Sequence, residues 1–192
     1  MAKRPPHSAG PFVTPALVPT ARPATNPAPA GKPDPADLYA ALDLGTNSCR
    51  MLIAQPKGSQ FHVVDSFSKS VQLGAGLESS GKLSRNSMAR TVGALKICQK
   101  KLRHHEVKRM RLVATEACRR ATNSAEFLKL VTRETGLDLE IITPEEEARF
   151  AVISCAPLVS VNTEQLLVVD IGGGSTELVW IDLSRVPKVD RP

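Results

Sequence analysis

Apolar residues recur along this chain with two different periods, and the switches between them outline a fold. Three segments run or alternate in the manner of strands: Tyr39 to Gly45, Arg50 to Gln55 and Phe61 to Val71. The second and third are predicted to form a hairpin through "PKGS" at 56–59. "VQLGAGLESSGKLS" at 71–84 reads as a Gly/Ser loop. Ser84 to Lys101 then places Met88, Val92, Leu95 and Cys98 on one stripe of a helix. "RMRLVAT" at 109–115 returns to strand. Asn123 caps a helix predicted to end at Thr135, with Glu126 at its third position and Gly136 as terminator. "LDLEIIT" at 137–143 is a further strand. In "TPEEEARFAVIS", Thr143 reads as a cap, Pro144 as the first helical residue and Glu146 as the partner that closes a capping box. A loop around Pro157 leads to "LLVVDIGGGSTELVWIDLS" at 166–184, where two apolar strands flank three glycines.

The predicted order is β-β-β-α-β-α-β-α followed by a new β-β. Strands alternating with helices imply an α/β sheet with helices packed on it. Residues 38–163 are expected to form one lobe, and 164–192 the opening hairpin of a second lobe that the sequence barely begins. Residues 1–37 hold ten of the fifteen prolines and show no periodicity, so they are expected to be a disordered Pro/Ala-rich tail.

Composition narrows the function classes only a little. The net charge of +6 falls to +4 once Lys3, Arg4, Arg22, Lys32, Asp34 and Asp37 of the tail are set aside. That mild bias is compatible with polyanionic ligands. Seven aromatic residues make base-stacking platforms an unsuitable design, so no specific nucleic acid is expected. Cys49, Cys98, Cys118 and Cys155 form no CxxC pair and read as buried free thiols, which points to a cytoplasmic protein. No apolar run is long enough for a membrane span.

The chemistry lies in a duplication. With an offset of 127, Asp43 falls on Asp170, Gly45 on Gly172 and Ser48 on Ser175. Each copy is a strand ending in Asp, a turn of small residues, a hydroxyl and a second strand. Tight turns of this kind let backbone N–H groups cradle phosphate oxygens. An adjacent Asp suits a divalent cation, which prefers oxygen ligands. No Lys-Ser/Thr follows the glycines, and strand rather than helix follows the turn, which excludes the common phosphate loop and the dinucleotide fingerprint.

"ALDLGTNSCRMLIA" and "VVDIGGGSTELV" resemble the two phosphate motifs of the actin-like ATPase superfold. Together with "VATEACRRATNSAEFL" and "EIITPEEEARF", they resemble the Ppx/GppA family of exopolyphosphatases and guanosine pentaphosphate phosphohydrolases across residues 38–183. The resemblance implies a ribonuclease-H-like first lobe with a mixed sheet and flanking helices. It implies hydrolysis of terminal phosphoanhydride bonds in polyphosphate or guanosine pentaphosphate, with Mg2+, and is compatible with a homodimer. By the same resemblance Glu147 activates the attacking water and Arg119 pairs with a phosphate. Gly45, Thr46, Asn47 and Ser48, with Gly172, Gly173, Gly174, Ser175 and Thr176, cradle phosphates, and Asp43, Asp170 and Glu177 position the metal. The residues separate the three acids independently: Glu145 and Glu146 favour the helix dipole and cap, whereas Glu147 has no cap duty.

Only thirteen residues follow Val179, and "SRVPKVDRP" does not resemble the family's continuation. Little hydrolysis is therefore expected of this chain alone. Two alternatives stay open: a sugar- or acetate-kinase-like relative, against which "EEEAR" and "ATEACRRA" argue, and a nucleotide or alarmone sensor or impaired fragment. A hairpin lacking its partner sheet is expected to expose Leu167, Val169, Leu178 or Trp180.

Overall fold

The computed structural model describes residues 37–184, apart from Ser59 and Val161. The expected tail, apart from Asp37, and the segment 185–192 lie outside the described residues. Alternation in "YAALDL" makes β1 (Tyr39–Leu44), with Ala40, Leu42 and Leu44 turned to the core and Tyr39, Ala41 and Asp43 to the other face. It pairs antiparallel with β2 (Ser48–Lys57), which pairs antiparallel with β3 (Gln60–Ser70). On its other side β1 runs parallel to β4 (Arg109–Ala114), and β4 runs parallel to β5 (Glu140–Ile141). The sheet order β3-β2-β1-β4-β5 is the ribonuclease-H-like mixed arrangement that the resemblance implied.

Helices supply the core. The short α1 (Leu77–Ser80) lies inside the segment expected to be loop, between Gly76 and Gly81, both at positive φ. α2 (Arg85–His104) starts at Ser84, whose hydroxyl accepts the Ser87 N–H at 3.1 Å. Its predicted stripe of Met88, Val92, Leu95 and Cys98 is buried, joined by Thr91 and Leu102. A second short helix, α3 (Glu116–Arg120), directly follows the residue after β4 and buries Ala117 and Cys118.

α4 (Ser124–Thr135) packs on α2 and buries Phe127 and Val131. Asn123 stands at its N-cap, as predicted, but its side chain caps nothing. It accepts the Leu83 N–H at 2.8 Å and donates to the Leu83 carbonyl at 3.0 Å, tying the entrance of α2 to that of α4. Phe127 is fully buried, so Phe127→Ala is expected to cost about 3–5 kcal/mol of stability. Urea unfolding checks this, with a lower midpoint and an unchanged slope.

α5 (Pro144–Cys155) begins with Pro144 and with the Thr143 hydroxyl accepting the Glu146 N–H at 3.2 Å, as expected, but Glu146 does not close the capping box. The Glu146 carboxylate pairs with Arg111, which also binds Glu140. A 3-10 turn (Ala156–Leu158) leads to a separate antiparallel pair, β6 (Gln165–Ile171) and β7 (Thr176–Asp182). This hairpin belongs to the same compact unit as the sheet and packs on α5 through the face that carries buried Val168 and half-buried Leu166, Val179 and Ile181. Its other face exposes Leu167, Val169, Ile171, Leu178 and Trp180, as expected for a hairpin without a partner sheet. Among the described residues, no helix is long and apolar enough to cross a membrane.

Candidate active site

The two turns related by the sequence offset close with the same hydrogen bond. Gly45 N–H donates to the Ser48 carbonyl at 3.0 Å, and Gly172 N–H to the Ser175 carbonyl at 2.9 Å. In the first turn the carbonyls are occupied from behind. Asn47 O accepts the N–H groups of Val71 and Gln72 at 2.8 and 2.9 Å, and Thr46 O accepts that of Gly74 at 3.0 Å. The N–H groups of Thr46, Asn47, Gly173 and Gly174 donate to no carbonyl among the described residues. Donors left in this state call for an external acceptor, whether water or an anion.

The turns also meet. A Cβ added to Gly173 would stand 2.5 Å from Asn47 Nδ2, and one added to Gly174 would stand 2.7 Å from Thr46 Oγ1. The glycines are thus required by the approach of the partner turn, and neither has a positive φ. Beside the pair lies a cavity of about 340 Å³, whose walls include Thr46, Asn47, Gly173 and Gly174. A larger cavity of about 700 Å³, lined by Tyr39, Leu52, Phe61 and Met110, reaches the beginning of β1 rather than its Asp43 end and offers mainly apolar walls.

Three acids converge electrostatically at the turns. Asp43 is the penultimate residue of β1, and Asp170 the corresponding residue of β6. Burial, followed by the charge of Glu147, holds the Asp43 carboxyl above its ordinary range; Arg50 pulls it down and Asp170 pushes it up. The two hairpins differ in the charge that faces the Asp. Asp43 stands opposite Arg50 across its ladder, whereas Asp170 stands opposite Glu177. Among the described residues, no three acidic, His or Cys side chains form a complete metal cage.

Glu147 lies one helical turn beyond the cap, and its carboxylate faces Arg119. Arg119 Nη2 is 2.8 Å from Glu147 Oε2, yet that oxygen is buried and receives no aligned hydrogen bond. The N–H groups of Arg119 point elsewhere. Nε and Nη2 donate to Glu116 Oε2 at 3.2 and 3.0 Å, and Nη1 donates to the Ile142 carbonyl at 3.0 Å. This guanidinium, 13% exposed, braces the start of α5 from within the protein.

The sequence from 52 to 190 matches the model of the Ppx/GppA phosphatase family. The chain belongs to that family. Among solved structures it is similar to the Aquifex aeolicus Ppx/GppA family member, with 39% identity and a TM-score of 0.66 over 76% of this chain and 47% of that one. It is also similar to an exopolyphosphatase-like protein, with 31% identity and a TM-score of 0.71 over 80% of this chain and 48% of that one. An exopolyphosphatase from Cytophaga hutchinsonii shares 26% identity with a TM-score of 0.71, over 76% of this chain and 46% of that one. The chain therefore spans about half the length of these Ppx/GppA relatives.

All the residues expected to cradle phosphate lie in or beside the two facing turns, with Ser48 opening β2 and Thr176 opening β7. Asp43 feels the charges of Glu147 and Asp170. Arg119, expected to meet a phosphate, is engaged by Glu116, Ile142 and Glu147 instead. Sequence reasoning passed over Glu116 and Gly74. Arg120 is exposed and also lines the cavity beside the turns. The Glu116–Arg119 and Glu116–Arg120 spacings of three and four residues were the available signal.

Proposed function

We propose that this chain carries the phosphate-binding and water-activating residues of a hydrolase acting on terminal phosphoanhydride bonds. Inorganic polyphosphate and guanosine pentaphosphate are the substrates to which the site chemistry is suited. The observation that carries the reading is the pair of facing turns with free N–H groups of Thr46, Asn47, Gly173 and Gly174. Donors fixed by a folded turn need no reorganisation when negative charge arrives, which is the condition for electrostatic catalysis.

In this reading the terminal phosphate sits in the cradle, and water attacks its phosphorus in line with the bridging oxygen. Glu147 accepts the water proton as the new P–O bond forms and the anhydride bond breaks. Orthophosphate leaves, and the remaining chain is one phosphate shorter. Arg119 lies 2.8 Å from the buried Oε2 of Glu147 and holds that carboxylate in place.

The acids fit a hard cation that keeps part of its water shell. The charges of Glu147 and Asp170 raise the demand of Asp43 for a counter-charge, which a hard cation with oxygen ligands would supply. Asp43 and Asp170, with Glu177 opposite Asp170, would hold Mg2+. When bound, such an ion neutralises charge on the phosphate oxygens.

The deciding experiment is a colorimetric assay of phosphate release from polyphosphate and from guanosine pentaphosphate. It is run on the 192-residue chain alone and joined to the second half of the Aquifex aeolicus relative. Release by at least one form supports a hydrolase. Tight phosphate-chain binding without release by either form makes the protein a sensor and overturns the proposal.

A further inference from the structure

We infer that the cavity beside the paired turns is a second phosphate subsite and that Arg120, rather than Arg119, supplies its cation. This rests on the reading of the turns as a phosphate cradle and extends it to the next phosphate of a linear chain.

The two consecutive arginines of α3 are in different states. Arg119 is 13% exposed and donates to Glu116 and to the Ile142 carbonyl, so its fork is committed to the protein. Arg120 is 45% exposed, and its guanidinium meets acids only at ion-pair distance among the described residues. Its closest acidic atoms are Glu78 Oε1 at 3.7 Å from Nη1 and Glu116 Oε1 at 3.8 Å from Nε, both beyond hydrogen-bond length. The Glu78 side chain is 88% exposed, and pairs of this kind contribute little and yield easily to a better acceptor.

The cavity has the shape this role needs. Arg120 shares its lining with Thr46, Asn47, Gly173 and Gly174, the residues whose N–H groups are free. Gly74 forms another wall, and a Cβ there would run into the Thr46 side chain, so the wall is bare by necessity. At about 340 Å³ the space exceeds one phosphate group. Two acids, Glu78 and Glu116, also line the space; Glu78 is exposed and loosely paired, and Glu116 shares its other oxygen with Arg119. A phosphate held between the turn amides and a planar guanidinium fork receives charge-assisted hydrogen bonds from both. The ligand class is therefore a linear inorganic phosphate chain of two or more units.

Titration calorimetry of the 192-residue chain at low ionic strength tests this with tripolyphosphate and with orthophosphate. Arg120→Ala is expected to weaken tripolyphosphate about tenfold and to change orthophosphate by less than about threefold, since the single phosphate rests on the turns alone. Glu78→Gln, which removes a competitor for Arg120, is expected to tighten tripolyphosphate by about twofold. Circular dichroism establishes that both variants are folded. Arg120→Ala binding tripolyphosphate as the unaltered chain does, or losing both ligands equally, overturns the subsite while leaving the cradle intact. Weaker tripolyphosphate binding by Glu78→Gln counts against it in the same way. An unaltered chain that binds neither ligand overturns the cradle and the subsite together.

Discussion

Glu147→Gln is expected to lower turnover by about 10²–10⁴-fold while leaving phosphate-chain affinity within about twofold. Glutamine keeps the size of the side chain and its reach toward Arg119 but cannot accept a proton from water at neutral pH. The cap and the Arg111 pair fall to the neighbouring Glu146, and Glu147 lies against Arg119. The Glu146 N–H meets the Thr143 hydroxyl, and the Glu146 carboxylate meets Arg111. Phosphate release and calorimetric affinity are measured side by side, in whichever form of the protein turns over. Unchanged turnover, or affinity falling in step with it, would remove Glu147 from the role of base. The same variant carries an electrostatic signature. Burial should still keep the Asp43 carboxyl above its usual range, but the loss of the Glu147 charge should bring its titration midpoint down. Carboxyl-carbon NMR of Asp43 reads that shift directly.

Gly173→Ala should lower turnover by about 10²-fold with little change in the unfolding midpoint. The new Cβ would lie 2.5 Å from Asn47 Nδ2, 2.7 Å from its Cγ and 3.1 Å from its Cβ, so either Asn47 swings out or the turns separate. Both responses spoil the aim of the free N–H groups without opening the core, because the turn sits at the surface. Placing glycine at Asn47 in the same chain removes the collision and should recover part of the loss. Full activity in Gly173→Ala, or no recovery in the double variant, would show that the close approach of the turns has no functional weight. Gly93 is the control, since it has no positive φ and an added Cβ there meets nothing within 4 Å.

The parts of the fold legible in the sequence were those with enough length to show a period. The stripe of α2, the alternation of β1, the Thr143-Pro144 start of α5 and the duplicated turn were all readable. Short and tertiary features were not. α1 and α3 hold one turn each, too few residues for a periodic signal, and they exist because Leu77, Ala117 and Cys118 find places in the core. "LDLEIIT" looked like seven residues of strand, but only Glu140 and Ile141 pair, opposite Val113 and Ala114 at the end of β4. Asn123 announced a cap, and Leu83, forty positions earlier, took its side chain instead. The candidate site followed the same rule. Its turns and acids were legible as local motifs, whereas the division between Arg119 and Arg120 depends on which acids fold against them.

The apolar outer face of the β6–β7 hairpin makes the molecule its own optical probe. Trp180 is the single tryptophan of the chain and stands 70% exposed in the middle of that face. Its emission should therefore be red, readily quenched by iodide and free of interference from any other indole. Whatever comes to rest on the hairpin, whether polypeptide or detergent, will announce itself as a blue shift and a loss of quenching at one known position.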